Sequence, residues 1–97
     1  MLTSKQRAYL RKLAHDFDPV FQIGKEGVTP EVVKAVDEVL EKRELVKLNV
    51  LKTCEDDLRL VADKVSKRTH SECVQMIGRR FVIYRAAKKP TIELPKA

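Results

Sequence analysis

Two glycines frame a short segment at which the backbone itself could bind a ligand. The segment consists of Gly24, Lys25, Glu26 and Gly27, and the helix start Thr29-Pro30 follows it. Glycine brings bare backbone close to a phosphate, while Lys25 and the helix N-terminus add favourable charge. The same glycines also suit a tight strand-to-helix turn that binds nothing, and Glu26 opposes phosphate binding. Since the spacing is not that of the Walker or dinucleotide-binding patterns, we expect no cofactor.

Positive charge is concentrated in two distant segments, residues 1–15 and 79–89. These 26 positions carry nine basic and no acidic residues, whereas the other 71 carry 11 basic and 14 acidic ones within a net charge of +6. If the segments meet in space they form a basic face, which most often serves nucleic acid. The alternative is a solvated helix face plus a disordered basic tail. The basic residues are Lys5, Arg7, Arg11 and Lys12 in the first segment and Arg79, Arg80, Arg85, Lys88 and Lys89 in the second.

Cysteine, histidine and paired carboxylates do not assemble into a convincing reactive site. Cys54 and Cys73 lack CxxC spacing and are expected to be free thiols. A zinc set could combine them with His15 and His70, but only His70 and Cys73 form a close pair, where structural zinc sites normally have two. The pair Asp56-Asp57 suits the first turn of a helix better than catalysis. We therefore expect neither a metal site nor an enzyme.

Aromatic residues are too few for base stacking to dominate a nucleic-acid interface. Residues 80–84 superficially resemble a strand of the RNA recognition motif, but they lack its glycine and further aromatic residue, and the element order differs. Contacts to RNA backbone and shape remain. The five aromatic residues, most of them expected in the core, are Tyr9, Phe17, Phe21, Phe81 and Tyr84.

Hydrophobic spacing predicts three helices and four strands in one domain, as expected for 97 residues. Residues 45–51 alternate as a strand with one wetter face, and Gly78-Arg79-Arg80 separates two apolar runs that indicate a hairpin. The predicted helices cover residues 4–14, 30–43 and 58–68, and the predicted strands cover 20–23, 45–51, 73–77 and 81–85.

The order α-β-α-β-α-β-β predicts an α/β fold with a mixed sheet, because helical crossovers allow parallel strands while the last pair must be antiparallel. We expect a single two-layer domain over residues 1–97, with three helices packed on a four-stranded sheet and residues 86–97 as an extended tail. The longest apolar run, residues 81–84, is too short for a membrane span, and the N-terminus lacks a secretion signal. We expect a cytoplasmic monomer with no membrane partner.

Four sequence motifs occur in order along nearly the whole chain. They are Leu2-Thr3-Ser4-Lys5-Gln6-Arg7 with Leu10, Leu13, Ala14 and His15, then residues 23–29, then Glu44-Leu45-Val46-Lys47, then residues 75–85. Together they resemble the CRM (chloroplast RNA splicing and ribosome maturation) domain in its stand-alone bacterial YhbY-like form. The resemblance implies a fold similar to the C-terminal domain of bacterial translation initiation factor three and a GxxG loop like that of KH domains.

The same resemblance implies association with ribosomal RNA in precursors of the large ribosomal subunit, as an assembly factor. The implied RNA-binding residues are Gly24, Lys25, Glu26 and Gly27 in the loop, Lys5, Arg7, Arg11 and Lys12 on the first helix, and Arg79 and Arg80 at the turn. Glu26 is compatible with this role if the backbone makes the contact. A protein-interaction module stays open as the alternative, docking on a ribosomal protein or assembly enzyme through the acidic second helix. Its acids are Glu31, Asp37, Glu38 and Glu41.

Overall fold

The computed structural model describes residues 2–96, which form three helices and four strands in the predicted order. The outermost residues of the predicted 1–97 domain, Met1 and Ala97, lie outside the described part of the chain. The elements are α1 (Ser4–Ala14), β1 (Phe21–Ile23), α2 (Pro30–Arg43), β2 (Leu45–Val50), α3 (Leu58–Thr69), β3 (Glu72–Ile77) and β4 (Arg80–Tyr84).

Each helix begins at a side chain that accepts a hydrogen bond from the first turn. Thr3 and Gln6 form a reciprocal capping box at α1, with the Thr3 hydroxyl 3.1 Å from the Gln6 backbone nitrogen. Thr29 caps α2 ahead of Pro30, and Asp57 caps α3 by accepting the Leu60 N–H at 2.8 Å. These local signals explain why the helix starts can be predicted from sequence.

The four strands form one mixed sheet in the order β1-β2-β4-β3. β1 runs parallel to β2, whereas β2 and β3 each pair antiparallel with β4. The β3–β4 hairpin turns at Gly78, whose φ of 61° is a conformation that glycine adopts at little cost. The predicted α/β fold with a mixed four-stranded sheet is confirmed.

The helices lie on both faces of the sheet, which differs from the expected two-layer arrangement. α2 and α3 pack on one face, where the larger core includes Val36, Leu48, Val61 and Phe81. α1 packs on the opposite face, where Leu10 and Ala14 join a smaller core. The alternation of β2 and β4 places apolar side chains on both faces, so each face needs a helix to cover it. Partners of α1 in the smaller core are Leu45, Val74, Val82 and Tyr84.

Residues 86–96 contain no helix or strand, as an extended tail would, but hydrogen bonds to one buried carboxylate hold them to the domain. Glu44 is 0% exposed. One of its oxygens accepts the Ala87 N–H at 3.0 Å. The other accepts the Thr91 N–H at 2.7 Å, the Thr91 hydroxyl at 2.6 Å and the Ile92 N–H at 2.9 Å. The tail therefore closes over the end of the sheet where β2 begins.

These donors keep Glu44 ionised. Burial by itself would raise the pKa of Glu44, but the Thr91 hydroxyl and the tail N–H groups outweigh burial and lower the pKa from 4.5 to about 2. Glu44 also has a φ of 65°, which is unfavourable for a residue with a side chain. The carboxylate contacts offset this strain.

Candidate functional site

The Gly24–Gly27 loop is a tight turn that leads from β1 into α2. The Gly27 N–H donates to the Gly24 carbonyl at 2.9 Å, and Gly27 has a φ of 68°. A side chain on Gly24 would lie 3.3 Å from both the Leu51 side chain and the Thr53 hydroxyl. Gly27 is therefore needed for the shape of the turn, whereas a side chain at Gly24 would require the Leu51 and Thr53 side chains to shift slightly. This structural role is compatible with ligand binding, since it leaves the loop backbone uncovered.

A shallow cleft of about 230 Å³ runs along the loop and reaches the first turn of α2. Gln22, Thr29 and Val32 line it together with the four loop residues. Lys25 and Glu26 are exposed at its rim. The positive end of the α2 dipole and the Lys25 ammonium favour an anion here, while Glu26 opposes it. The cleft suits the approach of a phosphate to backbone rather than enclosure of a small molecule.

The hairpin turn lies at the same end of the sheet as the glycine loop, where β1 and β2 end and β4 begins. The Arg79 carbonyl accepts the Val50 N–H at 2.7 Å, and the Leu51 N–H donates to the Ile23 carbonyl at 2.8 Å. The end of β2 thus bonds to both neighbours, with the loop on one side and the turn on the other. Two strand spacings separate them, about 10 Å. Arg79 and Arg80 are exposed, so the fold brings these two predicted positions beside the loop.

The four basic residues of α1 that were predicted to bind RNA fall into two groups. Lys5, Arg11 and Lys12 are exposed as expected. Arg7 departs from the expected outward arc, because its guanidinium donates to the Cys73 carbonyl and lies 3.8 Å from the Glu72 carboxylate. A register shift in β3 between Cys73 and Gln75 interrupts the strand ladder there, and this leaves a carbonyl for Arg7. Arg7 therefore contributes to packing.

Contacts on α1 also define which way its flanks face. Gln6 donates to the Pro95 carbonyl at 3.0 Å, so one flank faces the tail. Arg7 reaches β3, so the opposite flank faces the sheet beyond the helix. Arg11, one turn after Arg7, shares this second flank. Lys47 on β2 projects from the same sheet face, and its ammonium lies 3.5 Å from the His15 carbonyl. Lys47 is not among the site residues predicted from the sequence, although the alternation of β2 marks it on the wetter face.

Arg85 belongs to the second basic segment, but its charge is neutralised within the fold. Its guanidinium pairs with Asp37, lies 3.6 Å from a Glu41 oxygen and donates to the Thr69 carbonyl at 2.7 Å. Two of the four acids proposed for protein docking on α2 are therefore already paired with this arginine. The other two, Glu31 and Glu38, are exposed. This pairing weakens the acidic-helix alternative.

The residues considered as zinc ligands are not brought together. Within residues 2–96, no group of three or more His, Cys, Asp or Glu side chains could hold a metal ion. Cys54 and Cys73 are free and half-buried, and burial raises the pKa of the Cys73 thiol. A membrane-crossing helix is also absent from this part of the chain, since none is long and apolar enough.

The fold and site define a small α/β domain that presents a glycine loop, a helix N-terminus and an arginine-bearing turn at one end of its sheet. Residues 2–85 match the CRS1/YhbY (CRM) domain model, and the chain belongs to this family. The probable RNA-binding protein YqeI of Bacillus subtilis is 46% identical over 96 residues, covering 98% of this chain and all of that protein. An RNA-binding protein of Haemophilus influenzae is 32% identical, covering 98% of this chain and 96% of that one.

A solved structure shows the same architecture. The solution structure of a Staphylococcus aureus protein, described as a candidate RNA-binding protein, superposes with a TM-score of 0.82 at 51% identity. The alignment covers 98% of this chain and 100% of that one. The resemblance inferred from the four motifs is thereby confirmed at the level of family and fold.

Proposed function

We propose that this protein binds ribosomal RNA in precursors of the large ribosomal subunit and acts as an assembly factor in the cytoplasm. The observation that carries the proposal is the placement of the glycine loop and the Arg79-Arg80 turn at one end of the sheet, beside the N-terminus of α2. The names of the relatives support RNA as the ligand. The ribosomal precursor as partner comes from the family resemblance.

Phosphate contacts account best for how this end of the sheet would hold RNA. Gly24 and Gly27 leave the loop backbone without side-chain cover at two positions, and Lys25, Arg79 and Arg80 supply three exposed cations around it. Cations that neutralise phosphates release counterions, which gives affinity without sequence preference and a steep dependence on salt. Glu26 is exposed and can turn toward solvent while the backbone makes the contact. Lys5, Arg11 and Lys12 form a second cationic surface on α1.

The double variant K25D/E26D tests the loop. It keeps both glycines, and therefore the turn, but it removes a cation and places two carboxylates on the phosphate path. We expect wild-type protein to sediment with precursor large-subunit particles at physiological salt and the variant to move to the free fraction. K42D is the matched control, because it makes the same charge change on an exposed residue at the other end of α2, about 20 Å away.

Two results would count against the proposal at different levels. Wild-type protein that never sediments with ribosomal particles would refute the assembly-factor assignment. Co-sedimentation that K25D/E26D leaves unchanged would refute only the role of the loop. Binding that shows no dependence on salt would point instead to a protein partner, since phosphate contacts require a steep slope.

A further inference from the structure

One half of the sheet face that carries α1 is left open to solvent. α1 covers the end near Leu45 and Tyr84. Toward the loop and the turn, strand register aligns one residue from each strand into a cross-strand row. The row consists of Gln22, Asn49, Arg80 and Ile77, in spatial order from β1 to β3.

The cross-strand row has an unusual composition for an uncovered surface. Gln22, Arg80 and Ile77 are exposed, Ile77 to 65%, and Asn49 is half-buried. Neither the Gln22 nor the Asn49 side-chain amide makes a hydrogen bond to any residue between 2 and 96. The row contains no acid and no aromatic residue. It therefore offers two unpaired amides, one guanidinium and one apolar contact on a strip about 14 Å long.

The row adjoins the glycine loop and the hairpin turn, which are proposed to bind phosphates. Gln22 lines the cleft of the glycine loop as well as starting the row. Arg80 adjoins Arg79 of the turn and pairs in register with Asn49. Beyond the row, Lys47 and Arg11 add positive charge on the same side. The loop follows the end of β1 and the turn precedes β4, so a strand whose phosphates follow both would pass the end of the row.

We propose that the cross-strand row reads the bases of single-stranded, purine-rich RNA whose phosphates lie at the loop and the turn; this inference rests on the proposed RNA-binding function. On the Hoogsteen edge, which only purines have, asparagine and glutamine amides match the N6–H donor and N7 acceptor of adenine, and arginine matches the O6 and N7 acceptors of guanine. Proteins read single-stranded RNA through such base edges. Because the row has no aromatic side chain, hydrogen bonds rather than stacking set the preference.

The double variant N49A/Q22A tests the row. Labelled oligo(A), alternating oligo(AG), oligo(U) and alternating oligo(CU) of equal length are titrated with the full chain, and anisotropy is measured across a salt series. Wild-type protein should prefer the purine strands. The double variant should reduce this purine-to-pyrimidine ratio by about tenfold while keeping the salt slope, since amides contact bases rather than phosphates.

Two further variants make the result specific. K25D/E26D should weaken binding of all four strands and leave their ratio unchanged. L60A, at an exposed residue of α3 behind the other sheet face, should change neither ratio nor slope. Melting curves establish that each variant folds, and Q22A alone, on the exposed edge strand, carries the test if the double variant does not fold.

The outcomes separate the row from the function on which it depends. A wild-type protein that binds these strands without preferring purines refutes base reading by the row but leaves RNA binding intact. An N49A/Q22A variant with the wild-type ratio has the same meaning. Failure of wild-type protein to bind any of the four strands refutes this inference alone, because sedimentation with precursor particles tests the RNA-binding function separately.

Discussion

Glu44 joins the tail to the domain, and replacing it with glutamine should destabilise the protein strongly. Ionised Glu44 accepts four hydrogen bonds through two oxygens. In E44Q the amide oxygen can still accept from Thr91 and Ile92, but the NH2 group then faces the Ala87 N–H. The variant therefore loses the charge and one partner, and it leaves two donors opposed.

The lowered pKa of Glu44 indicates how much the carboxylate contributes to the free energy of unfolding. A pKa that falls from 4.5 to about 2 on folding, at about 1.4 kcal/mol per pH unit, corresponds to roughly 3 kcal/mol at neutral pH. We expect E44Q to lose about 2 to 3 kcal/mol of unfolding free energy at pH 7. For a chain of this length the melting temperature should fall by about 10 to 20 °C.

The pH dependence has a definite sign. Because the folded-state pKa lies below the unfolded value, the stabilisation by Glu44 is complete above about pH 4.5 and is lost as the pH falls toward 2. E44Q and wild-type protein should therefore converge in stability across this window. Glu72 also titrates at acidic pH: burial would raise its pKa, but the Leu2 N–H and Arg7 lower it. The difference between the two proteins isolates Glu44.

Urea denaturation followed by circular dichroism at several pH values measures this difference. E41Q is the matched control, because Glu41 also accepts a tail N–H, that of Lys88 at 3.1 Å, but from an exposed position. It should cost less than about 1 kcal/mol. If E44Q unfolds at the wild-type urea concentration and keeps the wild-type pH profile, the Glu44 carboxylate does not hold the tail to the domain.

Two further predictions concern the basic residues. Replacing Arg79 and Arg80 by alanine should weaken RNA binding of every sequence, most for guanine-containing strands because Arg80 also lies in the cross-strand row, and it should reduce the salt slope by up to about two units; unchanged affinity and slope in a folded variant would favour a protein partner. R11E should weaken RNA binding with an unchanged melting temperature, whereas R7E should lower the melting temperature because it breaks contacts to Cys73 and Glu72. Equal thermal stability of R7E and R11E would contradict the packing role of Arg7.

Local signals made most of the fold predictable. The Thr29-Pro30 pair and the Asp57 cap mark helix starts whatever surrounds them, and the structure places α2 and α3 there. The alternation of β2 predicted a strand with one wetter face, and Lys47 and Asn49 are its half-buried members. Signals of this kind depend only on neighbours in sequence, so one chain suffices to find them.

Tertiary contacts could not be predicted in the same way. Arg7 lies three residues before buried Leu10, hence only about 60° from it around the helix, and whether it packs or points outward depends on a free carbonyl in β3. Glu44 has the appearance of an ordinary charge between a helix and a strand. Its role depends on tail residues more than forty positions away. The number of layers likewise depends on which face of the sheet α1 packs against, and that contact is not visible in local sequence.

The structure separates the contacts that stabilise the domain from the surface proposed to bind RNA. At the end where β2 begins, the tail on Glu44 and the pairing of Arg7 with Glu72 close the fold. At the other end, the loop, the turn and the cross-strand row have exposed side chains with few internal partners. Variants of the exposed side chains at the second end should therefore change affinity while leaving stability almost unchanged, because they break little packing. This division allows binding defects there to be assigned to lost RNA contacts rather than to unfolding.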